Sequence, residues 1–155
     1  MRRPIVGVIG AGSCSIDIEE LAADVGREIA RNGAALICGG LGGVMTAAAR
    51  GAREIGGPTI GILPGPDVRA ANAYIDYPVA TNMGQARNAV IVQTAGVLIA
   101  VAGEYGTLSE IALALKIGKA VVALRPTFTV PGVCTAENAK DAVALALSFL
   151  EHNPE

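Results

Sequence analysis

Apolar residues follow two rhythms along this chain: short unbroken runs, and longer segments where they recur every three or four positions. Six runs read as strands: 4–10 (PIVGVIG), 34–38 (AALIC), 59–63 (TIGIL), the short 77–80 (YPVA), 96–101 (GVLIAV) and 119–124 (KAVVAL). After the first run, Ile18, Leu21, Ala22, Val25 and Ile29 share one face of a helix. Ser15 or Asp17 caps it and Asn32-Gly33 stops it. Further helices are predicted over about 44–55, 83–94, 107–117 and 136–151, the last after the loop PTFTVPG. The segment 69–81 is the least regular.

A strand apolar at every position is buried on both faces, and strands separated by helices run parallel. The predicted fold class is therefore α/β: a Rossmann-like open parallel sheet with helices on both faces, as a single domain over residues 1–155. No linker, repeat or low-complexity segment interrupts it.

Composition narrows the class of partner. At 52% hydrophobic and 17% charged the chain is globular. Its net charge of -2 supplies no basic field for nucleic acid, and five aromatics are too few for platforms that stack successive bases. The three widely spaced cysteines, Cys14, Cys38 and Cys134, fit reduced thiols in a cytoplasm better than a disulfide framework or a zinc site. No run of 18 apolar residues exists and no signal peptide is visible, so the expectation is a cytoplasmic protein without membrane or nucleic-acid partners.

Chemistry gathers where strands end. Gly10 and Gly12 follow the first strand, Gly39, Gly40, Gly42 and Gly43 the second, Gly103 and Gly106 the fifth. In an open parallel sheet these turns share the carboxyl edge, where ligands bind. Glycine admits a ligand close to the backbone, and the helix N-terminus behind it presents unpaired N–H groups that suit phosphate. The plainer alternative is that such glycines only make turns. Position 15 is Ser15, so the first loop lacks the third glycine of a dinucleotide fingerprint, and no Lys-Ser or Lys-Thr completes a Walker loop. His152 lies in the C-terminal tail, which removes histidine triads and most metal sites; no metal ligands are assigned. Glu110, expected in the first turn of its helix, either offsets the helix dipole or takes part in catalysis. Arg87 near a helix start opposes the dipole and calls for a partner, a ligand phosphate or Glu110.

Three strings carry a resemblance: GGLGGVMTAAARGA, the Met83/Arg87 segment and GEYGTLSE. Together they resemble the Lonely Guy superfamily, often mislabelled as lysine decarboxylases. ARN and GTLSEIALALKIGKAVV look most like its short branch of molybdenum-cofactor carrier proteins, which is related to the DprA/Smf proteins. The resemblance covers about residues 5–124. By position, it implies that Arg87 and Glu110 are the catalytic pair of a phosphoribohydrolase, which cleaves the N-glycosidic bond of a nucleoside 5′-monophosphate with no cofactor. Gly103, Gly106 and Thr107 fall on the phosphate loop, and Gly10, Gly12, Ser13, Gly39, Gly40, Gly42, Gly43, Met45, Asn88, Glu104 and Tyr105 complete the expected ligand-binding set.

Departures from the superfamily pattern favour binding over turnover. The proline and second glycine of its PGGxGT motif are Ala102 and Glu104 here. Its Arg-Lys pair is Arg87-Asn88, and polar and aromatic residues after the motif glutamate give way to Ala112-Leu113-Ala114-Leu115. The preferred expectation is a carrier for a nucleotide-like or pterin phosphate, the molybdenum cofactor being one such ligand. The alternative is the hydrolase. Phosphate should lie over Gly103–Thr107 with Thr107 donating its hydroxyl, Gly40 and Gly43 giving the ligand room, and Glu104 turned to solvent. Alanine-rich helices at 86–92 and 112–115, with the resemblance, predict a homodimer or homotetramer.

Overall fold

The computed structural model describes residues 2–152. Seven parallel strands form one sheet: β1 (Ile5–Gly10), β2 (Ala35–Cys38), β3 (Thr59–Leu63), β4 (Tyr77–Ala80), β5 (Val97–Val101), β6 (Val121–Leu124) and β7 (Cys134–Ala136). Their spatial order is β4-β3-β2-β1-β5-β6-β7, with Gly10 of β1 opposite Val101 of β5. Four helices connect them, α1 (Ile16–Arg31), α2 (Val44–Glu54), α3 (Asn88–Thr94) and α4 (Tyr105–Lys116), and α5 (Ala139–His152) follows β7. The α/β class, the parallel sheet and helices on both faces are as the apolar pattern predicts.

Alternation inside the all-apolar strands sorts the core into two halves. Val6, Val8, Leu36, Val97, Ile99 and Val122 point to one face, where α1, α2 and α5 pack. Ile9, Ile37, Leu98, Ala100 and Val121 point to the other, against Ile91 and Val92 of α3 and Ile111 and Ala114 of α4. Ser15 is the cap of α1, its hydroxyl accepting from the Ile18 amide at 3.4 Å. Arg27 of α1 reaches Glu54 of α2 at 2.7 Å across the helix pair.

Four local expectations are corrected. A seventh strand, β7, pairs with β6 at residues assigned to the loop and helix start, so α5 begins at Ala139 rather than at 136. The single helix expected over 83–94 is a 3-10 turn, Gly84–Arg87, followed by α3. Left-handed Asn82 and Gly84 (φ 51° and 59°) introduce that turn. Finally, α4 starts at Tyr105, two residues before the expected position, which moves Glu110 from the first helical turn into the second. A role offsetting the helix dipole, confined to the first turn, is thereby removed.

Candidate functional site

Strand order reverses between β1 and β5, and at the carboxyl ends of these two strands the chain leaves a crevice of about 190 Å³. This is the switch point at which open α/β sheets bind ligands. Its walls are the β1 turn from Gly10 to Gly12, the start of α4 at Glu104, Gly106 and Thr107, and the side chains of Met45, Gln85, Arg87, Asn88 and Glu110. Backbone strain collects along the same edge. Among the described residues, the non-glycine residues with left-handed φ, Asn82, Ala102 and Arg125, each lie one or two residues beyond the end of β4, β5 or β6. Such conformations cost about 1–3 kcal/mol each and cluster at functional sites.

The turn before α4 is built from this strain. Ala102 has φ 50° and its amide donates to the Leu124 carbonyl at 2.9 Å. Proline is locked near φ −65°, so the proline-led turn of the resembling motif cannot form with this geometry. Gly103 follows at φ 133°, and a Cβ there would stand 2.7 Å from Cγ2 of Thr107. Thr107, buried, uses its hydroxyl to accept from the Glu104 amide at 3.3 Å. Glu104 is exposed, but it lines the mouth of the crevice and its side chain pairs with the Thr107 amide in a capping box rather than turning to solvent. Of the amides that open α4, that of Thr107 meets the Glu104 side chain, and Gly106, at the second helical position, lines the crevice.

Arg87 is only 8% exposed, and so is Glu110. The Arg87 Nε donates to the Ile62 carbonyl at the end of β3 at 2.9 Å, and Nη1 donates to Oδ1 of Asn88. Nη2 passes over Gly39, where a Cβ would come within 2.8 Å of it. A carbonyl and an amide, not Glu110, are therefore the direct partners that the sequence left open. No ion pair joins Arg87 to Glu110 among the described residues. They interact at longer range: burial pushes the Glu110 carboxyl up to about 7, and the Arg87 charge only partly offsets it. Burial likewise lowers the Arg87 guanidinium from its usual value. Cys38, behind Arg87, is pushed up to about 11 by burial, so it is a neutral thiol at neutral pH and no nucleophile.

A family model, the SLOG cluster4 family, matches residues 3–151. The chain belongs to the SLOG cluster4 family. An uncharacterized protein of Archaeoglobus fulgidus is 46% identical over 143 residues, which cover 92% of this chain and 94% of that one. Among solved structures, the molybdenum cofactor binding protein of Rippkaea orientalis superposes with a TM-score of 0.92 at 34% identity, over 97% of this chain and 99% of that one. The molybdenum cofactor carrier protein of Chlamydomonas reinhardtii gives 0.90 at 36% identity, over 97% and 99%.

In this SLOG cluster4 chain the residues singled out from sequence divide by location. Gly10, Gly12, Gly39, Met45, Arg87, Asn88, Glu104, Gly106, Thr107 and Glu110 meet around the crevice. Gly40, Gly42 and Gly43 do not line it, and the expectation that Gly40 and Gly43 give a ligand room is corrected. A Cβ on Gly40 would meet Leu63, one on Gly42 the Gly12 carbonyl, and one on Gly43 the Ala11 carbonyl at 2.3 Å. Gly42 and Gly43 let two loops interlock backbone to backbone, an arrangement held by the Val44 amide donating to the Ala11 carbonyl at 3.0 Å, while Gly40 packs on β3. Ser13, Gly103 and Tyr105 also stand outside the lining. Gln85 was missed: it enters from the 3-10 turn two residues before Arg87, and only its nearness to that arginine could have signalled it.

Proposed function

We propose that this protein binds and carries a small phosphorylated ligand of the pterin type, the molybdenum cofactor, in the crevice between β1 and α4. One observation carries the reading: a twelve-residue helix opens beside a buried guanidinium, with glycine at its second position, at the switch point of the sheet. Phosphate would take the α4 amides and the open side of Arg87, two sources of positive potential. Support comes from the 34% and 36% identity to proteins whose names describe molybdenum cofactor binding and carriage. On this reading the cargo is held by its phosphate and its organic ring. The cysteines are free thiols, in keeping with a cytoplasmic site of action.

A second reading is favoured by Glu110. A carboxyl near 7 is poised to exchange a proton at neutral pH, which hydrolysis of a nucleoside 5′-monophosphate through an oxocarbenium-like sugar requires. Incubation with AMP separates the two. The carrier reading predicts binding without release of adenine; adenine release that disappears in Glu110→Gln would replace it with the hydrolase.

The assembly we propose is a homodimer or homotetramer. Three helices cover one face of the sheet, whereas α3 and α4 alone cover the other. Ile117, just after α4, is 37% exposed, and Tyr77 and Val79 of the edge strand β4 are exposed too. Light scattering should give at least twice 15.6 kDa; a monomer at micromolar concentration would end the proposal.

A further inference from the structure

Two of the five aromatic side chains in this chain meet at the start of α4, next to residues that line the crevice. Tyr105, the first residue of α4, is 82% exposed although its neighbours Glu104 and Gly106 line the crevice. Its ring centroid lies 6.0 Å from that of Phe128, with the planes tilted by 35°. Phe128 belongs to the loop between β6 and β7. That loop leaves β6 through left-handed Arg125 (φ 45°) and is tied to the α4 turn where the Thr127 hydroxyl donates to the Gly103 carbonyl at 2.7 Å. The fold thus fixes the position of the pair while leaving most of the tyrosine in water, where it adds little to the core.

The dimensions of the crevice give the pair a use. At about 190 Å³ it is smaller than the roughly 300–1,000 Å³ of a typical small-molecule pocket. It takes a phosphate and its neighbouring atoms, and anything larger must leave across the rim. On the α4 side the wall includes Glu104 and Gly106, and Tyr105 stands between them in the chain, outside the lining.

We propose that Tyr105 and Phe128 form a shelf for the planar heteroaromatic ring of the ligand whose phosphate occupies the start of α4. This inference rests on the phosphate-binding reading above and adds the place of the ligand's flat, conjugated ring. Stacking on an aromatic face tolerates many ring types, so the shelf selects ring-bearing phosphates over ring-free ones without choosing one base.

Calorimetric titration of the full chain with AMP and with ribose 5-phosphate, the same phosphate without the ring, tests this directly. The parent should bind AMP about tenfold more tightly than ribose 5-phosphate, a difference typical of one stacked ring. Tyr105→Ala should erase that preference and leave ribose 5-phosphate affinity unchanged, and Tyr105→Trp should keep the preference. The chain has no tryptophan, so tyrosine emission should fall on adding AMP and stay constant in Tyr105→Phe, which still binds. Equal affinity of the parent for the two probes overturns the shelf and leaves phosphate binding standing. An equal loss of both probes in Tyr105→Ala also overturns it, because the residue then acts only through the start of α4. Binding of neither probe by the parent brings down the phosphate reading and the shelf together.

Discussion

A Cβ added to Gly26 in α1 would lie 1.9 Å from the Ala48 carbonyl oxygen of α2, and one added to Gly51 in α2 would lie 1.9 Å from the Ala23 carbonyl oxygen of α1. A Cβ added to Gly106 in α4 would meet nothing within 4 Å, and Gly106 has no left-handed φ that would demand glycine. The two regions use the same residue for different reasons. Between α1 and α2 the protein itself fills the space beside the glycine, so the helices approach closely. At Gly106 the protein leaves that space open, on the wall of the crevice and at a helix position where glycine is costly. Gly40, Gly42 and Gly43 belong with the first kind, despite their place at the sheet's carboxyl edge.

The largest expected effect lies in the helix pair. Gly51→Ala forces backbone to move and should destabilise the fold by about 3 kcal/mol in urea unfolding, with little direct effect on the crevice. A loss below about 1 kcal/mol would mean that the α1–α2 contact is not the tight one described.

Next comes the pH dependence built into the crevice. The folded state holds the Glu110 proton up to about 7, higher than an unfolded carboxylate does. The resulting stability is fully present below the unfolded carboxylate range and is lost as pH rises through about 7. It amounts to about 3 kcal/mol by the size of the shift. Between pH 5 and pH 9 the parent should therefore lose about 2–3 kcal/mol more than Glu110→Gln does. An anion in the crevice should also bind more tightly to the parent at low pH, and Glu110→Gln should remove that gain. Matching stability profiles for parent and variant would place Glu110 in water rather than in a desolvated crevice.

The smallest effect is the sharpest for the comparison. Gly106→Ala should stabilise the fold by about 0.5 kcal/mol, because alanine suits a helix better and the space is free. The same change between α1 and α2 does the reverse. Destabilisation at Gly106 would show that the protein, after all, requires glycine there.

Much of this was legible in the chain, for reasons that also explain what was not. Strands such as VLIAV and ALIC are apolar at every position because both their faces are covered, so strands and class were readable. Three-residue β7 is half exposed at the sheet edge and offers no such run. The start of α4 was misplaced because Glu104, Tyr105 and Gly106 look like turn residues, while the helix begins among them with Thr107 accepting from the Glu104 amide. Arg87 and Glu110 could be singled out as buried-looking charges. The Ile62 carbonyl that holds Arg87 could not, since a backbone acceptor leaves no mark in side-chain pattern.

The central claim is that the open space beside Gly106 receives the phosphate of a ligand, and Gly106→Asp tests it most directly. Titration calorimetry with AMP would be run on parent and variant beside urea unfolding of both. An aspartate in the first turn of α4 suits the helix dipole and has room, so the variant should unfold at the same urea concentration as the parent or higher. Its bulk and charge stand where the phosphate goes, so AMP binding should be abolished. A Gly106→Asp protein that binds AMP as tightly as the parent would contradict the account.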